Sequence, residues 1–212
     1  MRLGLSNFTA AEVAEVVMTC KYNGWVRPTV YQAMYNAITR GMEAELVPAC
    51  RRYGIDIVAY NPLAGGLFSG KIRSQDMEVA EGRFSSGTRM GAMYRGRYFR
   101  DSTFEALRTV ERAVEAHGAS GLTMIETALR WAVHHSKLRV RDGNDGIIIG
   151  ISSYAQLDGN LDAIEKGPLP DDVVEALDRA WRIAKPDAPN YWHKELEYTY
   201  DTKEALFGQG RK

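Results

Sequence analysis

Cysteine is scarce in this sequence, with only Cys20 and Cys50 among 212 residues. Two thiols build neither a disulfide framework nor a metal cluster, and both fall in segments of helical pattern, so buried free thiols in a reducing compartment are expected. Histidine is nearly as rare, with four residues. The adjacent pair His134 and His135 has no further ligand-type residues clustered near it and reads as the polar end of a helix, so no metal is expected. Neither sign of charge is in excess: 27 basic residues balance 27 acidic ones, and nothing in the composition calls for a polyanionic partner. Long apolar runs are also missing. None approaches the roughly 20 residues of a membrane span, and no charged, apolar, small-residue leader opens the chain. A soluble cytoplasmic domain with no membrane partner is therefore the expectation, and 45% hydrophobic residues suffice for one sizeable core.

What is present alternates between strand and helix patterns. Residues 2 to 5 (RLGL) read as a strand, and Thr9 to Gly24 place Val13, Val16, Val17 and Cys20 on one helical face. Residues 28 to 32 (PTVYQ) are β-prone, Glu43 to Tyr53 read as a helix closed by Gly54, and Ile55 to Tyr60 as a third strand. Asn61 to about Arg100, rich in Gly, Arg, Ser and Met and poor in periodicity, reads as a functional loop or a disordered insert. Helices are then marked by Phe104, Leu107, Val110 and Val114, and by Leu122, Ile125, Leu129 and Ala132. Ile147 to Ile151 (IIIGI) reads as a fourth strand, followed by helices over Tyr154 to Glu165 and Asp171 to Ala184.

Strands that are apolar throughout and each followed by helix imply an α/β protein with a parallel sheet under helices. A flavodoxin-like or Rossmann sheet fits this pattern, and so does part of a TIM barrel. The polar residues favour the barrel, because they fall at the C-terminal ends of strands: Ser6 and Asn7, Gln32, Tyr60 and Asn61, then Gly150 and Ser152. In a barrel those ends form the mouth where ligands bind.

Tyr60 to Lys71, YNPLAGGLFSGK, holds Gly65, four residues, Gly70 and Lys71, which is most of a phosphate-binding P-loop. The next residue is Ile72, where a P-loop needs the hydroxyl that ligates magnesium, so a nucleotide hydrolase is disfavoured. A glycine-rich turn after a strand is more often only a turn. Ser6 and Asn7 equally suit a helix cap, and Gln32 a satisfied buried amide. The arginine run from Arg89 to Arg100, interleaved with Tyr94, Tyr98 and Phe99, has the composition of a nucleic-acid patch. Charge balance argues against that use, and no nucleic-acid partner is expected.

Taken together, GLSNF (4 to 8), PTVYQAMYN (28 to 36), AYNPLAGGL (59 to 67), GRF (82 to 84), MYRGRYF (93 to 99) and IIGISSYAQLDGN (148 to 160) resemble the aldo-keto reductases, in particular the aflatoxin-aldehyde reductase branch. The resemblance runs in order to about Trp192. It implies a (β/α)8 barrel that reduces aldehydes and ketones with NADPH, of which this chain is the C-terminal half. Residues 1 to 192 would supply strands five to eight of a partial TIM barrel, and residues 193 to 212 a polar C-terminal tail.

By the same resemblance Tyr60 lies against the nicotinamide, Ser6, Asn7 and Gln32 hold its carboxamide, and the segment Asn61, Pro62, Leu63, Ala64, Gly65, Gly66, Leu67 through Gly70 and Lys71 wraps the pyrophosphate. Glycines there let the backbone approach the phosphates, and Lys71 adds a cation. Gly150, Ser152, Ser153, Gln156 and Asn160 are implied at the adenosine end, where a helix N-terminus favours the 2′-phosphate. Many family members carry Lys and Arg in that segment. This sequence has neither, which leaves Arg83 as its expected phosphate partner. Tyr94 and Arg97 are implied to face a small carbonyl substrate.

The family's proton donor is a tyrosine acidified by lysine and aspartate beside an orienting histidine, all in the barrel's first half. No tyrosine here lies in a matching motif, so no catalytic acid is assigned. Two readings follow: a truncated NADPH-dependent reductase polypeptide lacking its tetrad, or a non-catalytic half-barrel that binds cofactor or pairs with another chain. The exposed edges of a half-barrel make a homodimer one expected outcome.

Overall fold

The computed structural model describes residues 3–192 together with Asp201, Glu204 and Gly208. Apart from those three, the expected polar tail lies outside the described residues. The sheet is four-stranded and wholly parallel, in the order β1 (Gly4–Ser6), β2 (Val30–Met34), β3 (Asp56–Tyr60) and β4 (Gly146–Ile147). Neighbours in sequence are neighbours in the sheet, which a doubly wound fold would not give.

Alternation along the strands explains how the sheet is covered. Tyr31, Ala33, Ile57 and Ala59 are buried against helices, whereas Val30, Gln32, Asp56, Val58 and Tyr60 stand on the opposite face and retain exposure. One face is thus packed and the other open except at its C-terminal end, where Met34 is buried, as in a partial barrel.

Helix α1 (Ala10–Tyr22) starts at Thr9, whose hydroxyl accepts the Glu12 amide while the Glu12 carboxylate accepts the Thr9 amide at 2.7 Å. The cap is therefore Thr9, and neither Ser6 nor Asn7 fills that role. The helix expected over 43 to 53 is a 3-10 turn at Gly41–Glu43 followed by α2 (Leu46–Tyr53). The expected long loop is interrupted twice. A 3-10 turn covers Ala64–Ser69, and α3 covers Arg89–Tyr98, capped by the Thr88 hydroxyl. Arginines mask the apolar stripe of α3: Gly91, Tyr94 and Tyr98 are its buried positions, and small Gly91 leaves a gap in the periodicity. Helices α4 (Asp101–Ala116) and α5 (Met124–His134) follow, and α6 (Tyr154–Glu165) and α7 (Asp171–Ala184) fall on the ranges expected for them. The fourth strand is shorter than IIIGI suggests, because only Gly146 and Ile147 pair with β3 and residues 148 to 151 leave the ladder.

The remaining ambiguous groups have structural partners. Tyr98 and Phe99 are buried in the core, so they offer no stacking platform to a nucleic acid, and Arg95 is spent on the Phe84 carbonyl and the Ser86 hydroxyl. His135 Nε2 accepts the Leu169 amide at 2.8 Å and is neutral in that role, which agrees with the lowering of its pKa by burial. Cys20 and Cys50 are free and buried, and burial pushes the Cys50 thiol up to about 12. Among the described residues, no helix is long and apolar enough to cross a membrane.

Two ionic clasps hold the layers. Buried Arg40 bonds Asp178 at 2.6 Å, the Leu177 and Ala37 carbonyls, and the face of Trp131 at 4.5 Å, tying α7 to the end of β2. Asp145, with its side chain 1% exposed, accepts a forked pair of bonds from Arg51 and the amides of Ile57 and Arg139. Burial pushes its carboxyl up, but the guanidinium and the two amides outweigh burial and hold it below the ordinary carboxylate range. A depressed native pKa stabilises the fold above the unfolded value and loses that contribution as pH falls through the native one. Urea unfolding should therefore show Asp145→Ala destabilised by about 3 to 5 kcal/mol at pH 7, the usual cost of breaking a buried pair. The gap between variant and wild type should close as the pH falls below the ordinary carboxylate range.

Candidate functional site

Past the C-terminal ends of β3 and β4 a cleft of about 430 Å³ opens between the segments that leave the two strands. One wall is Tyr60, Asn61, Pro62, Leu63, Gly65 and Gly66. The other is the extended segment Ile148 to Ser152, with Gln156 from the first turn of α6, and Gly82, Arg83 and Tyr94 complete the lining.

Asn61 organises this space. It sits at φ 62°, in the left-handed region that asparagine tolerates better than most residues. Its main-chain carbonyl accepts the Asn36 side-chain amide at 3.1 Å, and its Oδ1 accepts both Arg83 Nη1 at 2.9 Å and the Tyr94 hydroxyl at 3.1 Å. Its Nδ2 is buried with no partner among the described residues, a condition that usually costs roughly 1 to 3 kcal/mol until a bonding group arrives. The turn after Asn61 packs directly on Tyr94. A Cβ on Gly65, which lies at φ 72°, would come within 2.7 Å of that ring, so only glycine fits there.

Arg83 reaches across to the opposite wall. A Cβ on Gly150 would stand 2.9 Å from Arg83 Nη2, so the missing side chain at 150 is what admits the guanidinium. Arg83 and Arg97 both lie near the Tyr94 ring, at 5.5 and 5.4 Å from its centroid. The Tyr60 hydroxyl is pushed up by burial, with Arg97 opposing the shift.

The expected site residues divide between this cleft and its surroundings. Tyr60, Asn61, Pro62, Leu63, Gly65, Gly66, Arg83, Tyr94, Gly150, Ser152 and Gln156 all line it. Ser6, Asn7 and Gln32 do not. Ser6 and Gln32 are register partners, with the Ser6 hydroxyl on the Gln32 carbonyl at 3.0 Å, and they stand on the open sheet face in the same row as Val58, two residues before Tyr60. Ala64 and Leu67 are buried behind the turn, Lys71 is exposed, and Gly70 lines a different hollow. The amides of Ala64, Gly66, Phe68 and Gly70 bond within the turn, so the backbone facing the cleft is narrower than an eleven-residue wrap around a phosphate. Ser153 caps α6 by accepting the Gln156 amide, and Gln156 Oε1 in turn accepts the amide and hydroxyl of Ser152. Asn160 is buried one helical turn beyond Gln156 on the same stripe. Arg97 projects from α3 beside Tyr94.

Sequence reasoning missed Gly82, Ile148, Ile149 and Ile151 as lining residues, and Asn36 and Phe84 as supports. The isoleucines were hidden because an apolar run reads as buried strand, yet Ile148 and Ile151 are 41% and 43% exposed. That exposure gives the cleft an apolar wall facing a polar one.

A sequence model described as the Aldo/keto reductase family matches residues 2–182. The chain is 48% identical over 195 residues to human aldo-keto reductase family 7 member A3, covering 91% of this chain and 58% of that protein. It is also 48% identical over 195 residues to aflatoxin B1 aldehyde reductase member 2 of Rattus norvegicus, covering 91% and 53%, and 38% identical over 196 residues to an aldo-keto reductase of Monascus ruber, covering 91% and 56%. The chain thus spans a little over half the length of these relatives. From the order of its parallel strands to the motifs around its cleft, the chain belongs to the aldo/keto reductase family.

Proposed function

We propose that this chain is the cofactor-holding part of an NADPH-dependent reductase of small aldehydes or ketones, contributing strands five to eight of a (β/α)8 barrel through residues 1 to 192. The observation that carries this reading is the cleft itself. Two segments some 90 residues apart in the motif set meet across one elongated hollow, with an unpaired buried amide at Asn61, an arginine at its lip and an apolar wall opposite. Those groups suit a dinucleotide, which presents phosphate oxygens to the amide and the guanidinium and flat apolar rings to the isoleucines.

In this reading NADPH supplies the hydride. Tyr60 packs against the nicotinamide, and Ser6 and Gln32, one row before it on the open sheet face, bond the carboxamide together with Asn7, which follows β1. Arg83 leaves Asn61 for a phosphate of the adenosine end, a move that Gly150 permits. Arg97 stays beside Tyr94 to receive an acidic or polar group of the carbonyl compound. Reduction also requires a proton for the developing alkoxide. The hydroxyls of Tyr31, Tyr35, Tyr94, Tyr98 and Tyr191 are all engaged with Phe8, Glu43, Asn61, Met34 or Glu45, and burial raises the Tyr60 hydroxyl. None of these six tyrosines therefore suits the proton donor, and no other described tyrosine lines the cleft, so we place the donor outside these residues. Preference for the phosphorylated dinucleotide rests on Arg83, since the segment from Ile151 to Asn160 has no cation.

Two measurements test this. In calorimetric titrations Arg83→Ala should weaken NADPH by about tenfold or more, the scale of a lost charge-assisted contact, and NADH much less; equal losses would refute the phosphate role. With the 212-residue chain and 2-carboxybenzaldehyde, NADPH oxidation should stay far below an ordinary turnover of about 1 per second. Turnover at that rate would show that a proton donor lies within this chain, with Tyr94 the first residue to replace.

A further inference from the structure

Behind the turn that lines the cleft lies a second hollow of about 160 Å³, walled by Leu67, Gly70, Ile72, Phe104, Leu107 and Met124. Its floor is core: Leu67 is 1% exposed, Phe104 3% and Leu107 7%. Its rim carries Arg73, Arg108 and Glu111. Glu111 is already bridged by Arg73 at 3.5 Å, and Arg73 also reaches the Gly70 carbonyl. Arg108 has no hydrogen bond or ion pair among the described residues, so the rim is left with one uncompensated positive charge over an apolar pit.

We propose that this hollow binds a small amphipathic carboxylate, with its chain in the pit and its head on Arg108. An apolar cavity of ~150 Å³ accommodates benzene, so the matching chain has about six to eight carbons. Charge decides the head group: a carboxylate pairs with a guanidinium in a fork, which an alcohol cannot do. The site has a mechanical link to the cleft. Leu67 belongs to the 3-10 turn Ala64–Ser69, whose Gly65 and Gly66 line the cleft on the other side. That turn is braced by bonds from the Gly66 and Phe68 amides to the Leu63 carbonyl and from the Gly70 amide to the Leu67 carbonyl. A chain pressing on Leu67 and Ile72 therefore shifts backbone that faces the cleft. The site lies between the turn that follows β3, α4 and the start of α5, and does not depend on what the cleft itself binds.

The test is a titration of the 212-residue protein, labelled at methionine methyls and backbone amides, with octanoate and separately with octanol, observed by NMR without any dinucleotide present. Octanoate should move the Met124 methyl and the Gly66 amide together and saturably, with half-saturation near 1 mM for a ligand of this size. Octanol should bind about tenfold more weakly. Arg108→Gln, an exposed change that leaves the fold intact, should erase that difference, and Leu107→Phe should fill the pit and abolish both responses. An unmoved Met124 methyl up to roughly tenfold above that concentration, equal binding of acid and alcohol, or an undiminished preference in Arg108→Gln would each overturn the assignment. Movement of Met124 with Gly66 unmoved would overturn the link to the cleft.

Discussion

The Asp145 carboxylate is the constraint on which the cleft depends. Strands β3 and β4 share only the pairs Val58 with Gly146 and Ala59 with Ile147, followed by one bond from the Ile148 amide to the Ala59 carbonyl. So short a ladder is a weak fastening by itself. Asp145 immediately precedes it and binds the Ile57 amide on β3, the Arg139 amide on the approach to β4, and Arg51 on α2. Arg51 in turn donates to the Lys137 carbonyl. One buried anion thus fixes the register of the two strands at their N-terminal ends, and the walls of the cleft are what those strands become a few residues later.

At the other end of β3 an uncharged residue does comparable work. Asn61 joins the end of β2 through Asn36, the loop through Arg83 and α3 through Tyr94, while its own backbone turns left-handed to start the glycine-rich turn. Each of these contacts spans a different stretch of sequence, so Asn61 is the meeting point of four segments. Its lip is held by neutral and charge-assisted hydrogen bonds instead of close packing, which leaves Arg83 exposed and free to exchange partners.

This division explains what could be read in the sequence. Strand and helix alternation, the parallel sheet and the bounds of α6 and α7 were legible because they rest on periodicity and on local caps such as Ser153. Tyr60 to Leu63, Gly65, Gly66, Arg83, Gly150, Ser152 and Gln156 could be picked out as candidate site residues through their motifs, although only the fold brings them to one hollow. The helix α3 was not legible, because Arg89, Arg95 and Arg97 and two glycines obscure its buried stripe of Gly91, Tyr94 and Tyr98. The roles of Asp145 and Asn36 were invisible for a different reason. Their partners lie up to 94 residues away in sequence, and nothing in a lone Asp or Asn announces a long-range bond.

The open face of the sheet follows from the same local logic. Val30, Gln32 and Val58 stand on the face opposite the buried Tyr31, Ala33, Ile57 and Ala59 and retain exposure, whereas Tyr60, at the end of the same row, lines the cleft. The cleft is assembled by adjacent strands, the loops that leave them and helices on the packed face. Its geometry is therefore a property of neighbouring βα units and does not require closure of a ring.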